Sequence, residues 1–397
     1  RNAVAAGLTT LALGALIAGL AVALIQRDIA RTETRKSERV LEFMVDNFRL
    51  ANPSKTNGVQ ISARDLLDRS AERMDQALAD VPSAHADLLD AMSGAYAGLG
   101  AYDQSLQLAD DAITIRHRLD EAVSLAHSLM LRAAALKSLT RNSESAATLA
   151  EARTLLPEMP DTDEASAIKA KMLSLGALLH WIEGEYEPAR EGWTNSLALY
   201  RQLYGTLDER SIETALFLSR ALASQKKFDA SLRLLNEIIE PIRSATPPRP
   251  ARLHESLNAL GGVQLKRGDN AGSEATHREA AQLAEQVYGP EHFFVAVELH
   301  NVGKAMLNQN HPAEAIEPLR RGLGVAHVAL PPSHGLTASI IMNLALAEAD
   351  SGDCGMAQVH HEELLNLLKQ NPEARNVDPE RTSERIRLCR ERLATEG

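Results

Sequence analysis

Leu265-Lys266-Arg267-Gly268-Asp269-Asn270 is the stretch that decides the fold, because segments of the same shape recur along the chain at a nearly constant distance. Trp181-Ile182-Glu183-Gly184-Glu185-Tyr186 and Ala97-Gly98-Leu99-Gly100-Ala101-Tyr102 are two of them. With the glycine as anchor, the matching turn positions are Gly100, Thr140, Gly184, Lys226, Gly268, Asn310 and Gly352, spaced by 40, 44, 42, 42, 42 and 42 residues. Self-similarity at such a period marks stacked units, each too small to bury its own apolar face. The second unit departs most, since it has no turn glycine and lies between the two irregular spacings.

Small residues fall at fixed offsets from each turn. Five positions after it come Ser105, Ser145, Ala189, Ser231, Ser273, Ala315 and Ala357, and seven before it come Ser93, Ala133, Ala177, Ser219, Gly261, Gly303 and Ala345. Twelve positions after it stand Ala112, Ala152, Ser196, Ile238, Ala280, Gly322 and Leu364. Five and twelve differ by two helical turns, so both positions lie on one face, where small side chains let paired helices approach. Leu89, Leu129, Leu173, Leu257, Leu299 and Ile341 lie eleven residues ahead of the turn. This pattern resembles the tetratricopeptide family over residues 84–370. The period of 42 and the loop Tyr288-Gly289-Pro290-Glu291-His292, echoed by Leu330-Pro331-Pro332-Ser333-His334, resemble its kinesin-light-chain type, with Asp208 standing where a third histidine would be. The resemblance implies an all-α chain, a right-handed superhelix (α-solenoid) of about seven helix-turn-helix repeats.

Composition agrees with that class. Apolar residues make up 45% of the chain and aromatic ones only 4%, so the core is built from Ala, Leu, Ile and Val, which suit helices better than a β domain. The 42 basic and 53 acidic residues leave a net charge of -11, the wrong sign for a nucleic-acid partner. Cys354 and Cys389 are too few for a disulfide framework and have no zinc spacing.

Residues 3–25 carry no charge, which at 1.5 Å per residue gives about 34 Å of helix, enough for a hydrocarbon core of about 30 Å. The apolar run is too long for a signal peptide and continues into Gln26-Arg27-Asp28, so a single transmembrane helix over residues 1–26 is expected. Ala3/Gly7 and Ala15/Gly19 are small-xxx-small pairs that can bring two spans together as a homodimer. Arg27, Arg31, Arg35, Lys36 and Arg39 on the C-terminal flank favour a cytoplasmic array by the positive-inside rule, but only Arg1 is visible on the other flank, so both orientations stay open. Residues 27–82 form a second region: a helix over 31–48 with Val40, Leu41, Met44, Val45 and Phe48 as its stripe, a loop over 51–60, and a helix start with Ser62 as N-cap. The repeat array follows over residues 83–370. A charged capping helix lies in residues 371–397, with Ile386, Leu388, Cys389 and Leu393 as its apolar contacts.

No catalytic signature is present: no G-x-x-x-x-G-K-[ST], H-E-x-x-H, G-x-S-x-G or G-x-G-x-x-G, and neither the H-R-D nor the D-F-G of kinases. Ala167-Ile168-Lys169 falls in a helix, so the chain reads as non-catalytic and without cofactor or metal. His360 and His361 are adjacent and point about 100° apart on a helix, which prevents joint chelation. His292 and His334 recur in connecting loops, as structural hydrogen-bond partners. Tyr186 and Trp193 read as packing positions of the third unit.

The resemblance places the ligand face on the first helices, in a concave groove that takes a protein or peptide. Candidate groove residues are Lys171, Ser174, Trp181, Asn258, His300, Asn301, Lys304 and Asn343. Asn301 and Asn343 sit 42 residues apart, and an amide both donates to and accepts from an extended backbone. Taken whole, a span, residues 39–78 with Val40-Leu41-Glu42-Phe43-Met44 and Ala63-Arg64-Asp65-Leu66-Leu67-Asp68-Arg69, and a repeat array resemble the C-terminal part of bacterial receptor-type serine/threonine protein kinases. That resemblance implies a single-pass inner-membrane protein with an extracytoplasmic array and a kinase domain before the span. A membrane-tethered scaffold, or a transcription regulator's sensor without a kinase, is the alternative.

Overall fold

The computed structural model describes residues 63–119, 121–331, 334–370 and 377–396. The expected span over 3–25, the helix over 31–48, the loop over 51–60 and the Ser62 N-cap lie outside the described residues. Among the described residues there are sixteen α-helices, one 3-10 turn and no strand, and no helix is long and apolar enough to cross a membrane.

Two compact bodies divide at Leu179 and His180. The first holds α1 (Ala63–Ala77), the pair α2 (Pro82–Gly98) and α3 (Tyr102–Arg116), the pair α4 (Ala122–Ser138) and α5 (Asn142–Thr154), the 3-10 turn Leu156–Glu158, and most of α6 (Asp163–Ile182). The second holds α7 (Tyr186–Tyr204) and four pairs: α8 (Glu209–Ser224) with α9 (Phe228–Arg243), α10 (Pro250–Arg267) with α11 (Asn270–Tyr288), α12 (Phe293–Asn308) with α13 (Pro312–Ala329), and α14 (Gly335–Asp350) with α15 (Cys354–Gln370). α16 (Pro379–Glu396) closes it. In the first body Leu89, Met92 and Tyr96 form one core with Met74 and Leu78, and Leu129, Met130 and Leu149 form another with Met172. In the second, Leu319, Ile340, Ile341, Leu344 and Leu364 are fully buried together. Four first helices also touch the first helix of the next pair: α2 with α4, α8 with α10, α10 with α12, and α12 with α14.

Each of the seven expected turns joins two helices, and each anchor residue has positive φ, from 60° at Lys226 to 94° at Gly352. The amide after the anchor reaches back across the turn, as Ala101 N does to Tyr96 O (2.9 Å) and Asp269 N to Gln264 O (2.9 Å), so the last carbonyls of the first helix are satisfied. This explains why glycine prevails at the anchor. Thr140, Lys226 and Asn310 hold the same left-handed conformation at a cost of about 1–2 kcal/mol for an ordinary L-residue, least for asparagine. Before the first helix of a unit, Asp208, His292 and His334 cap by accepting the amide two residues on; the histidines do so through Nδ1 at 3.2 Å. The loop histidines are therefore structural, and Asp208 does the same task at the third site.

Two of the small-residue positions meet in space. Ser145 Oγ donates to Ala133 O (2.7 Å), Ser231 Oγ to Ser219 O (2.8 Å) and Ser273 Oγ to Gly261 O (2.9 Å), in each case from five residues past the turn to seven before it. In the first unit the bond is reversed, from Ser93 Oγ to Ser105 O at 2.8 Å. All these residues are buried. The second helix thus lies close enough to the first for a one-carbon hydroxyl to reach backbone, which a larger side chain at either position would prevent.

A second periodic device runs along the outer helices. Residues seventeen past one turn pair with residues eleven past the next: Arg201 with Glu237, Arg243 with Glu279, Glu285 with Arg321, and His327 with Glu363 in the second body, and His117 with Glu151 in the first. The charges are reversed together at Glu285 and Arg321, so the pairing survives although the residues differ. At the remaining register the sequence carries Pro157 and Asn195, which form no such pair.

The cap differs from expectation in two respects. Thr382, Ile386 and Cys389 are buried along one face of α16, whereas Leu388 and Leu393 are 41% and 50% exposed. Leu388 lies about 200° from Ile386 around the helix, and Leu393 falls one turn beyond the last buried position. Cys354 and Cys389 are joined as a disulfide with Cα atoms 5.8 Å apart, tying α16 to the start of α15. Closing that loop restrains the unfolded chain by roughly 4 kcal/mol on the chain-entropy account.

Two expectations follow, both measurable by chemical denaturation. A Cβ at Gly261 would lie 2.5 Å from His277 Nε2, while one at Gly262 meets nothing within 4 Å. Gly261→Ala is therefore expected to lose about 1–2 kcal/mol through overpacking, and the adjacent Gly262→Ala to gain up to about 1 kcal/mol of helix propensity. Glu285→Arg sets two arginines against each other and is expected to cost about 0.5–1 kcal/mol, with Arg321→Glu in the same chain restoring most of it; a fully additive pair would refute the rung.

Candidate functional site

In the first body the first-helix face is polar at its centre. Arg116, at the end of α3, is 2% exposed and is held by three carboxylates: Nη2 lies 2.7 Å from Asp87 Oδ1 and 2.9 Å from Asp90 Oδ2, and Nη1 lies 2.9 Å from Glu121 Oε2. Arg116 Nε also donates to Ser128 Oγ (3.0 Å), which donates to Asp90 Oδ2 (2.9 Å). Burial pushes the Asp90 carboxyl above its usual range against the pull of Arg116. A charge so desolvated has to be paired, and the cluster locks α2, α3 and α4 together.

Lys171 and Ser174 on α6 are half-buried, and Lys171 lies near enough to Asp90 for their charges to interact. Asp87, His127 and Lys171 each stand thirteen residues before their turns, so three successive first helices present an acid, an imidazole and an amine at one register. Burial, then the neighbouring Lys171 and Arg116 charges, lower His127 to about 4, so it is neutral at physiological pH. Burial likewise lowers the Lys171 amine, opposed by Asp90.

In the second body the candidates separate into two groups. Asn258 Nδ2 donates to Glu298 Oε1 (2.6 Å), and Glu298, with no exposed surface, also meets His277 Nδ1 (2.6 Å) and His254 Nε2 (3.1 Å). Burial raises the Glu298 carboxyl, but hydrogen bonds from His254 and His277 outweigh it and hold it below the usual range. Asn258 thus serves an internal network. Asn343 is 8% exposed, and its amide pairs with His300 Nε2 at 2.8 Å. Burial, aided by the Lys304 charge, lowers His300 to about 4, so the imidazole is neutral and accepts that amide. The two asparagines expected to face a backbone differ in their surroundings: Asn343 is paired with His300, whereas the half-buried Asn301 makes no hydrogen bond to a described residue.

Asn301 and Lys304 remain available on α12, and the structure adds residues that the sequence reading passed over. Phe217 and Arg220 on α8 occupy the same registers as Asn301 and Lys304, nine and six residues before their turns. Phe217 stacks on buried Trp193 (5.5 Å, 10°), and the Arg220 guanidinium lies 6.0 Å from the Phe217 ring. Trp193 also lies 6.0 Å from half-buried Trp181, whose ring meets Tyr186 edge-on at 5.0 Å. Tyr186 is 45% exposed and Ile182 46%, so Tyr186 is a surface aromatic and not the packing position expected of it, while Trp193, at 1%, is one. Tyr186 opens α7, ahead of the first turn that α7 buries.

For metal chelation, the described residues offer His180, Glu183 and Glu185 around the turn at Gly184, whose ligand atoms lie within 4.8 Å of one another; His180 Nδ1 already pairs with Glu185 Oε2 at 2.6 Å. His360 and His361 diverge as their adjacency requires, one to Glu348 Oε2 and the other to Thr382 Oγ1, each at 2.7 Å.

The tetratricopeptide-repeat family model matches residues 252–327, from within α10 to within α13, and this stretch is a tetratricopeptide-repeat region. No curated protein matches the chain. Among solved structures, the apo form of RapI is 9% identical with a TM-score of 0.61, covering 78% of this chain and 86% of its own. A signal transduction ATPase with numerous domains and a tetratricopeptide repeat sensor, from Pyrococcus horikoshii, is 11% identical with a TM-score of 0.62, covering 77% of this chain and 44% of its own. The nearly identical TPR-like repeats assigned to a kinesin light chain of Podosopora anserina are 16% identical with a TM-score of 0.45, covering 53% of this chain and 99% of theirs. At these identities the likeness is one of fold: all-α, built from tetratricopeptide-like helix pairs.

Proposed function

We propose that the chain is a non-catalytic binding module, the ligand-sensing part of a membrane-anchored bacterial serine/threonine kinase, whose first-helix face holds an extended peptide or protein segment. The observation that carries the binding reading is a set of unburied positions six and nine residues before the turns on first helices of the second body: Phe217 and Arg220 on α8, Gly262 on α10, and Asn301 and Lys304 on α12. Phe217 packs on Trp193, whereas Arg220, Asn301 and Lys304 make no ion pair or side-chain hydrogen bond with a described residue, so internal contacts do not account for these three polar side chains.

The membrane and kinase parts rest on the sequence: the uncharged run over 3–25 and the resemblance of residues 39–78 together with the array. The Pyrococcus protein, described as carrying a tetratricopeptide repeat sensor, sets the same fold beside a nucleotide-driven signalling domain and supports the reading by analogy. The Cys354–Cys389 disulfide favours an oxidising, extracytoplasmic setting for the array. A single span transmits a signal only through a change in association or orientation, so the ligand has to bind one such state more tightly than the other.

Sequencing the reading frame upstream of the Arg1 codon is expected to find H-R-D-x-x-x-x-N and D-F-G, and a frame without them would remove the kinase from the proposal. Panning the full chain against a phage-displayed library of random peptides tests the binding reading. Selected peptides are expected to lose at least tenfold in affinity for Gly262→Leu, at a position where a Cβ meets nothing within 4 Å, with unchanged thermal unfolding of the variant as the control for its fold. Failure to select any peptide would overturn that reading.

A further inference from the structure

We infer that the turn at Gly184 is a divalent transition-metal site of the zinc class, with His180, Glu183 and Glu185 as its three protein ligands. One ligand atom of each side chain lies within 4.8 Å of the other two. All three residues belong to the second body, at the junction of α6 and α7. No spacing motif announces them; the backbone assembles them. His180 and Glu183 are three residues apart across the last turn of α6, so their side chains fall on one face. Gly184, with φ 81°, then reverses the chain, and Glu185 N donates to His180 O at 2.8 Å, which returns the Glu185 carboxylate to within 2.6 Å of the imidazole Nδ1. The site needs no peptide on the first-helix face.

The other six turns show that the fold does not call for these ligands. Four positions before the anchor, where the third unit has His180, the others have Tyr96, Leu136, Leu222, Gln264, Met306 and Glu348. No other unit carries His, Cys, Asp or Glu at all three positions, four before, one before and one after its anchor. The bases around this turn are engaged elsewhere, Arg190 and Lys227 both with Glu187. Two carboxylates thus stand at the C-terminal end of α6, where the helix adds its own partial negative charge and favours a cation.

The donor set selects the ion. Magnesium and calcium take shells of oxygen, whereas an imidazole with carboxylates suits zinc and its neighbours. Tetrahedral zinc, with bonds of about 2.0–2.2 Å, holds its ligand atoms about 3.3–3.5 Å apart. Glu183 and Glu185 are exposed, so rotation of their side chains closes the present spacing to that distance. Three protein ligands leave the fourth position to water. Bound there, the ion clamps the end of α6 to the residue that opens α7, beside the exposed Ile182 and Tyr186.

The chain's two tryptophans make the site observable, since Trp181 follows His180 and Trp193 lies 6.0 Å from Trp181 between ring centroids. The full chain, free of any affinity tag, is titrated with zinc chloride by calorimetry and with cobalt chloride while tryptophan emission is followed. One zinc ion per chain is expected at this site, together with cobalt quenching that zinc reverses and a large excess of magnesium does not. His180→Gln, Glu183→Gln and Glu185→Ala place at this turn what other turns hold at the same positions in Gln264, Gln225 and Ala101, so the fold is expected to persist. An unchanged thermal midpoint in zinc-free buffer checks this, and if one variant unfolds the other two decide. Losing even an outer partner of a metal ligand costs about tenfold in affinity, so each variant is expected to weaken zinc by at least about tenfold and to remove the quenching. No zinc binding, zinc bound without cobalt quenching, quenching that survives all three substitutions together, or equal competition by magnesium would each overturn the proposal.

Discussion

Each helix pair depends on one close approach: a small residue five positions past the turn lies against a small residue seven positions before it. Ser145, Ser231 and Ser273 make that approach visible, because a hydroxyl one carbon from the backbone reaches a carbonyl on the partner helix at 2.7 to 2.9 Å. Each bond is worth only about 1 kcal/mol, but the geometry it reports is more restrictive than its energy. Helices this close exclude larger side chains from the contact and direct Leu, Ile and Val to the positions on either side. Gly303 carries the approach further, since a Cβ there would lie 2.4 Å from Leu319 Cγ. The left-handed turn serves the same contact by reversing the chain within a few residues while satisfying the helix's terminal carbonyls.

Given that pairing, successive units need a register. The outer ladder supplies part of it through exposed ion pairs at a constant offset, individually weak and subject to screening. Buried polar clusters supply the rest. Arg116 with Asp87, Asp90 and Glu121 ties three helices in the first body, and Glu298 with His254, His277 and Asn258 ties three in the second. These clusters explain why polar residues lie on first helices without serving a ligand.

That division marks the limit of what could be read from residues alone. Turn anchors were legible even at Thr140, Lys226 and Asn310, because the period located them where composition did not. The two small-residue series were legible separately, while their mutual contact required coordinates. At the candidate site, Asn258, His300 and Asn343 look like surface residues by their spacing, yet each is engaged by a residue 40 or more positions away that no local pattern reveals. Phe217 and Arg220 were within reach of the sequence: moving Asn301 and Lys304 back by two periods lands on them. The disulfide was not, because its cysteines are 35 residues apart across an interhelical connection and belong to no motif.

The most direct test of the pairing rule is the sixth unit, where the position occupied by serine in four other units is Ala315, fully buried beneath α12. A buried hydroxyl without a partner costs about 1–3 kcal/mol. If the close approach is the same in every unit, Ala315→Ser finds the Gly303 carbonyl and stays within about 0.5 kcal/mol of the parent in urea denaturation, whereas Ala315→Leu loses 2 kcal/mol or more. A serine variant as damaged as the leucine variant, or a leucine variant as stable as the parent, would contradict the account.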